Sequence, residues 1–168
     1  REFEKQKELC NNNLKMFYAG MRSRLIYSSV NKLKLAKKLI ANSQRVLVFT
    51  TLTSIADKLC NHSYHSKSKE DNLKKFTDCL INKLSVVQQV SMGITIKNLK
   101  HIVIHQMNST METALQKILR CMNFEKGLDA KIDLIIIKDS KDEEWVKNSL
   151  QGFDTSKIEY INEQDLKI

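Results

Sequence analysis

Gln116 and Arg120 stand four residues apart, a spacing that stacks a carboxamide beside a guanidinium on one face of a helix. Whatever this helix does, the neutral carboxamide and the charged guanidinium do it together. The helix is announced by Ser109-Thr110-Met111-Glu112, a capping-box pattern in which the first hydroxyl and the fourth carboxylate satisfy amides at a helix start. Met111, Leu115, Ile118, Leu119 and Met122 recur at spacings of three and four and form one apolar stripe. Glu112, Gln116 and Arg120 are left along the opposite side, so the segment reads as a core-docked helix with a polar edge. Periodicity alone favours an ordinary solvated face. What separates the two readings is the set of elements around the helix.

Composition limits those elements. The chain has 168 residues with 42% apolar side chains, enough for one core and one domain. It contains no apolar run long enough to span a membrane, and Arg1-Glu2-Phe3-Glu4-Lys5 lacks the apolar block of a signal peptide, so a soluble, cytoplasmic protein is expected. It starts without Met, which points to a piece of a longer polypeptide. The cysteines at 10, 60, 79 and 121 show no paired spacing, and three fall within apolar patterns, as for reduced thiols. Cys60, His62 and His65 are the nearest approach to a metal grouping, and their gaps within an expected strand do not make a zinc knuckle. A formal charge of +9 suits an anionic partner such as nucleic acid, although a lysine-rich chain also rich in Asn and Ile fits an AT-rich genome equally well.

Residues 1–43 read as a helical leader into a domain that spans 44–168. Leu14, Phe17, Tyr18, Met21 and Leu25 make one helical stripe. Ser28-Ser29 offers a cap for a second helix bearing Val30, Leu33, Ala36, Leu39 and Ile40. After Arg45 the period changes. Val46-Leu47-Val48-Phe49 is a continuous apolar run, the form of a strand buried on both faces. Leu52, Ile55, Ala56, Leu59 and Cys60 form a helical stripe, His62 to Ser66 a weak strand, and Ser68-Lys69-Glu70-Asp71 a cap before Leu73, Phe76 and Leu80. The next strand segment is Leu84 to Val90, and Leu84–Val87, Ile102–Ile104 and Ile132–Ile137 are expected as buried strands, the last followed by a helix through Trp145. Strands alternating with helices predict a central, mainly parallel sheet covered on both faces.

The glycines stand only at 20, 93, 127 and 152, so no Gly-rich loop ending in Gly-Lys-Ser/Thr can be assembled, and the chain holds no phosphate cradle of its own. Gly93 follows a buried run, where a backbone approaches ligands at the carboxyl edge of a sheet; a plain turn glycine would look the same. In order, Arg45-Val-Leu-Val-Phe-Thr-Thr51, Ser66-Lys67-Ser68, Gly93-Ile-Thr-Ile-Lys-Asn-Leu99 and Gln116-x-x-x-Arg120 resemble motifs IV, V and VI of superfamily 2 helicases. The likeness covers residues 44–138, and the Gly93 wording looks most like phage-type DNA repair helicases. Asp142-Glu143-Glu144-Trp145-Val146 is similar to a prophage helicase segment, less specifically.

The resemblance implies a RecA-like three-layer fold and a split site. ATP and Mg2+ would lie between this domain and an N-terminal RecA-like domain of the same polypeptide, which supplies the phosphate loop and the Mg-binding acid. DNA would be the other partner. Position by position, Gln116 is the motif VI glutamine, Arg120 its first arginine, and Gly93 with Thr95 the motif V turn beside the nucleotide. Thr50, Thr51, Gln89 and Lys97 would face the nucleic acid, where hydroxyls and amides hold a strand without reading its sequence. Two departures stand out: Leu119 occupies the usual motif VI glycine position, and Asn123 that of the last arginine. Asparagine supplies no guanidinium charge, so Arg120 alone would serve the transferred phosphoryl group, or hydrolysis would be weak. The Ala-Thr-Asp usual in motif V is also missing, with Gln88-Gln89 nearby. The main alternative is a non-catalytic DNA-binding or interaction module that keeps the fold. An unrelated doubly wound regulatory domain would require the motif order to be coincidence.

Overall fold

A computed structural model of the chain describes residues 2–68, 71–87, 96–106, 131–151 and 153–166. Two helices come first, α1 (Glu2–Tyr27) and α2 (Val30–Ala41). Then follow β1 (Val46–Thr50), α3 (Thr53–Leu59), β2 (Ser63–Tyr64), α4 (Asn72–Thr77), β3 (Lys83–Val87), β4 (His101–Ile104), β5 (Lys131–Leu134) and α5 (Lys141–Ser149). The strands lie in the order β2-β3-β1-β4-β5, and each described pairing is parallel. The parallel sheet expected from the apolar runs is therefore present, with β1, the most continuous run, at its centre.

β1 shows why both faces are needed. Side chains alternate along a strand, so Leu47 and Phe49 point one way and Val46 and Val48 the other. The first pair joins Leu84, Val86, Ile102 and Ile104 under Leu73 and Phe76 of α4 and Val146 of α5. The second joins Val103 under Ala36, Leu39 and Ile40 of α2 and Ile55 and Leu59 of α3. The result is a three-layer α/β/α arrangement, with the helices of each outer layer burying one face of the sheet.

Several sequence expectations need correction in detail. Of the run Ile132 to Ile137, only Lys131–Leu134 is strand, and of its isoleucines only Ile135 is buried. Among the described residues β5 ends the sheet order with β4 as its one neighbour, and Ile132, Leu134 and Ile136 pack only partly buried against the core. Asp133 on β5 instead bonds His101 Nε2 at 2.7 Å and Lys131 at 3.1 Å. The strand at His62 to Ser66 is reduced to Ser63–Tyr64. The cap of α4 is Asp71, whose carboxylate accepts from the Lys74 amide, while the Ser68 hydroxyl turns back to Ser63 O. α4 stops at Thr77, because Cys79 takes φ 60 and turns the chain out, leaving Leu80 exposed. Ser29 sits at the N-cap of α2 without a side-chain cap bond, and the Ser28 hydroxyl bonds back to Arg24 O. The expected strand residues 88–90 lie outside the described residues. Cys60 is buried, with its thiol pushed up to about 11 by burial, whereas Cys10 and Cys79 are exposed. His65 bonds Asp57 at 2.9 Å, and among the described residues no group of three or more His, Cys, Asp or Glu is placed to hold a metal. None of the described helices is long and apolar enough to cross a membrane.

Candidate nucleotide and nucleic-acid interface

The carboxyl edge of β1 and β4 is where a parallel α/β sheet meets its ligands. β1 delivers Thr50 and Thr51 there, and β4 delivers His105 and Gln106; His105 N donates to Phe49 O at 2.9 Å and holds the two strand ends level. Thr50 is 1% exposed, and its hydroxyl donates to Gln106 Oε1 at 3.0 Å. Thr51 is half-buried; its amide donates to the same oxygen at 2.6 Å, and its hydroxyl does so as well. The donors that a phosphate could use at this edge are thus already engaged. Among the described residues the edge presents no amide cradle.

Beside the threonines lies a second polar group that sequence reading had not singled out. Lys32 of α2 and Asp142 of α5 pair at 2.6 Å with both side chains nearly sealed from solvent. Burial lowers the Lys32 pKa, and the Asp142 carboxylate opposes that shift. The Tyr27 phenol is raised by burial and by the same carboxylate, against a hydrogen bond from Ser23, so the end of α1 meets the start of α5 here. His105 is fully buried, and neither ring nitrogen has a hydrogen-bond partner among the described residues. Burial and then the Lys32 charge push its pKa down to about 4, so the ring is neutral. The available signal in the sequence was position: His105 and Gln106 are polar residues immediately after a fully buried strand.

The remaining site expectations divide by place. Lys97 is exposed between buried Ile96 and the φ 58 residue Asn98, so Ile96 and Leu99 pin this turn and the lysine faces out. Asn98 lines a concavity at the opposite, amino edge of the sheet, together with Arg45, Lys100 and Lys131. Arg45 has a structural role: its guanidinium lies 4.2 Å over the Phe76 ring and donates to the carbonyls of Phe76 and Ile81. Gln89, Gly93, Thr95, Gln116 and Arg120 lie outside the described residues.

Among the described residues, a parallel five-stranded sheet lies between two helical layers with polar residues gathered at its carboxyl edge, an arrangement that RecA-like domains have. Solved structures share this fold. The C-terminal domain of the DEAD-box protein Dbp5 aligns at TM-score 0.59 and 14% identity, covering 76% of this chain and 81% of that one. The C-terminal part of the Fun30 ATPase domain aligns at 0.56 and 18%, covering 88% and 54%. T4 UvsW aligns at 0.52 and 22%, covering 69% and 28%, so this chain spans under a third of it. No curated protein sequence matches the chain. The helicase conserved C-terminal domain matches residues 31–125, and the chain belongs to that family. It is accordingly the second RecA-like domain of a superfamily 2 helicase-type protein, within a superfamily of ATP-dependent motors.

Proposed function

We propose that this chain is the C-terminal motor domain of an ATP-dependent DNA helicase or translocase of the phage type, acting in the cytoplasm. It supplies motifs IV, V and VI to an ATP and Mg2+ site shared with an N-terminal RecA-like domain of the same polypeptide. The observation that carries this reading is order. Thr50-Thr51, Gly93-Ile-Thr95 and Gln116-x-x-x-Arg120 follow one another within the family-matched span, and β1 brings the first of them to the ligand edge of a parallel sheet. In this reading Gly93 and Thr95 border the nucleotide, Arg120 stabilises charge on the transferred phosphoryl group, and Gln116 accompanies it. Thr50, Thr51, Gln89 and Lys97 serve the strand phosphates, Thr51 by exchanging its bonds to Gln106 Oε1 for the strand, while Thr50 stays anchored on the same oxygen. The engaged donors around Gln106 support the split site, since they leave the phosphate loop to the companion domain. The wording at Gly93–Leu99 favours DNA and the phage type.

Arg120→Ala tests the reading in the polypeptide that includes the companion domain. With Asn123 in place of the second arginine, DNA-stimulated ATP turnover should fall by a factor on the order of 10³, the scale of an arginine finger, with folding unchanged. The 168-residue chain alone should neither hydrolyse ATP nor bind it tightly in calorimetry. Leu119 and Asn123 are the specific observation behind a second reading, a non-catalytic DNA-binding module. Unchanged turnover in Arg120→Ala, or submicromolar ATP binding by the isolated chain, moves the assignment away from the split motor site.

A further inference from the structure

Gln106 leaves β4 at the carboxyl edge with 1% of its surface exposed, and the two ends of its carboxamide go to different parts of the chain. Oε1 accepts from Thr50 Oγ1 at 3.0 Å, from the Thr51 amide at 2.6 Å and from the Thr51 hydroxyl. Nε2 donates to the Tyr27 carbonyl at 2.9 Å. Tyr27 closes α1, and its carbonyl is among those that a helix end leaves without an intrahelical donor. One buried side chain thereby joins the end of α1, the end of β1 and the end of β4. Its partners lie 79 and 55 residues away in sequence. A carboxamide is the group that can do this, since it has an acceptor and a donor at the same tip; a carboxylate lacks the donor, and a thioether lacks the donor and accepts only weakly.

The ends it joins differ in freedom. The Thr51 side of the clasp rests on β1, which is paired on both sides by β3 and β4. The Tyr27 side rests on α1, where Leu14, Phe17, Tyr18, Met21 and Leu25 are between 47% and 73% exposed. In the last turn of α1 only Ile26 and Tyr27 are half-buried, beside the charged pair of Lys32 and Asp142. We propose that Gln106 is a positioning residue that makes the placement of Thr51 depend on where α1 ends. Displacement of α1 then reaches the carboxyl edge through this one amide, and the Thr51 amide and hydroxyl are released or held with it. The coupling is a property of the fold; its consequence for a bound strand rests on the motor-domain reading.

Site-resolved amide exchange on the full chain tests the coupling from each end. Thr51→Val removes a donor to Oε1 without touching α1. Coupling is reciprocal, so the Ser28 and Ser29 amides, which close α1 onto Arg24 and Ile26 carbonyls, should exchange about fivefold faster, the scale of one neutral hydrogen bond. Unchanged exchange at Ser28 and Ser29 overturns the proposal. Gln106→Met provides the second variant. Acceleration confined to Thr51, Ser28 and Ser29 supports the clasp, whereas equal acceleration at Val48 and Val103 in the sheet assigns Gln106 to general stability and overturns it. Affinity for a single-stranded oligonucleotide should fall about fivefold in both variants, again one hydrogen bond's worth. If the unaltered chain and the variants all fail to bind the oligonucleotide, the nucleic-acid assignment of Thr51 is lost, while the exchange result still decides the coupling.

Discussion

His105 places a titratable ring where it cannot take a proton cheaply. It is sealed in and faces the Lys32 ammonium, which is itself paired with Asp142. Above pH 6.5 the ring is neutral in both folded and unfolded chains and contributes no slope. Between 6.5 and about 4 the unfolded chain takes a proton that the folded one refuses, so stability falls as the pH falls. From pH 7 to pH 5 the loss from this ring alone should be about 2 kcal/mol. His105→Leu should lose correspondingly less over that interval, because the surface carboxylates titrate alike in both proteins and cancel. Urea unfolding at the two pH values checks this, and identical slopes would place the ring in contact with solvent. Nothing in the residue's type distinguished it from a surface histidine. Its burial comes from α2 and α5 closing over the end of β4.

At the scale of elements, the Lys32–Asp142 pair is the described ionic tie between α2 in one outer layer and α5 in the other. Asp142 also sits in the first turn of α5, where a negative charge meets the helix dipole favourably, and its Oδ2 accepts weakly from the Ile137 amide at 3.4 Å. Removing one partner leaves a buried charge alone. Asp142→Ala should cost about 3–5 kcal/mol, less whatever Lys32 recovers by shedding its proton. Lys32→Met combined with Asp142→Leu should recover most of that loss, since two apolar groups of similar size have no charge to desolvate. Denaturant titration of the three proteins gives the comparison, and additive losses in the double variant would show that the pair does not interact. The strands themselves were legible beforehand. A strand buried on both faces is apolar at nearly every position, which marks β1 and β4 plainly; β3 carries one exception, the buried Ser85, whose hydroxyl donates to Ala56 O. Ile132–Ile137 carries the same mark without the same burial, because whether a run lies inside a sheet or at its end depends on which strands flank it. The cap of α4 was misplaced for a similar reason: Ser68 and Asp71 are equally good caps by type, and the chain had a use for the Ser68 hydroxyl at Ser63 O.

For the whole molecule, a charge of +9 spread over a lysine-rich surface sets the character of nucleic-acid binding. Phosphate contacts release counterions, so affinity for a single strand should drop steeply with salt. With about two to three such contacts, raising salt from about 50 to about 200 mM should weaken binding roughly tenfold. Filter binding or fluorescence anisotropy across that range gives the slope, and a salt-independent affinity would contradict a backbone-dominated interface. In the proposed reading Lys97 and the threonines would act from different places: the threonines stand at the carboxyl edge, whereas Lys97 adjoins the amino-edge concavity through Asn98. A strand held by both would have to wrap the flank of the sheet, so Lys97→Ala should change the salt slope less than the loss of a lysine at the carboxyl edge.

The amino-acid sequence by itself determined the alternation of buried strands and covering helices, which is written in windows of a few residues through apolar period and cap type, and a local signal is readable locally. The RecA-like class came from the likeness of ordered segments to a known family. Tertiary structure alone decided the strand order β2-β3-β1-β4-β5, the partly exposed edge at β5 and the polar ties at the carboxyl edge. Lys32 and Asp142 are 110 residues apart, and Gln106 and Tyr27 are 79 apart. A lysine, an aspartate, a histidine and a glutamine each have a comfortable place on a solvated surface. They become a buried pair, a neutral ring and a three-way clasp only because helices packing on both faces of the sheet remove water from the ends of its strands, and a polar group deprived of water must find a partner or give up its charge.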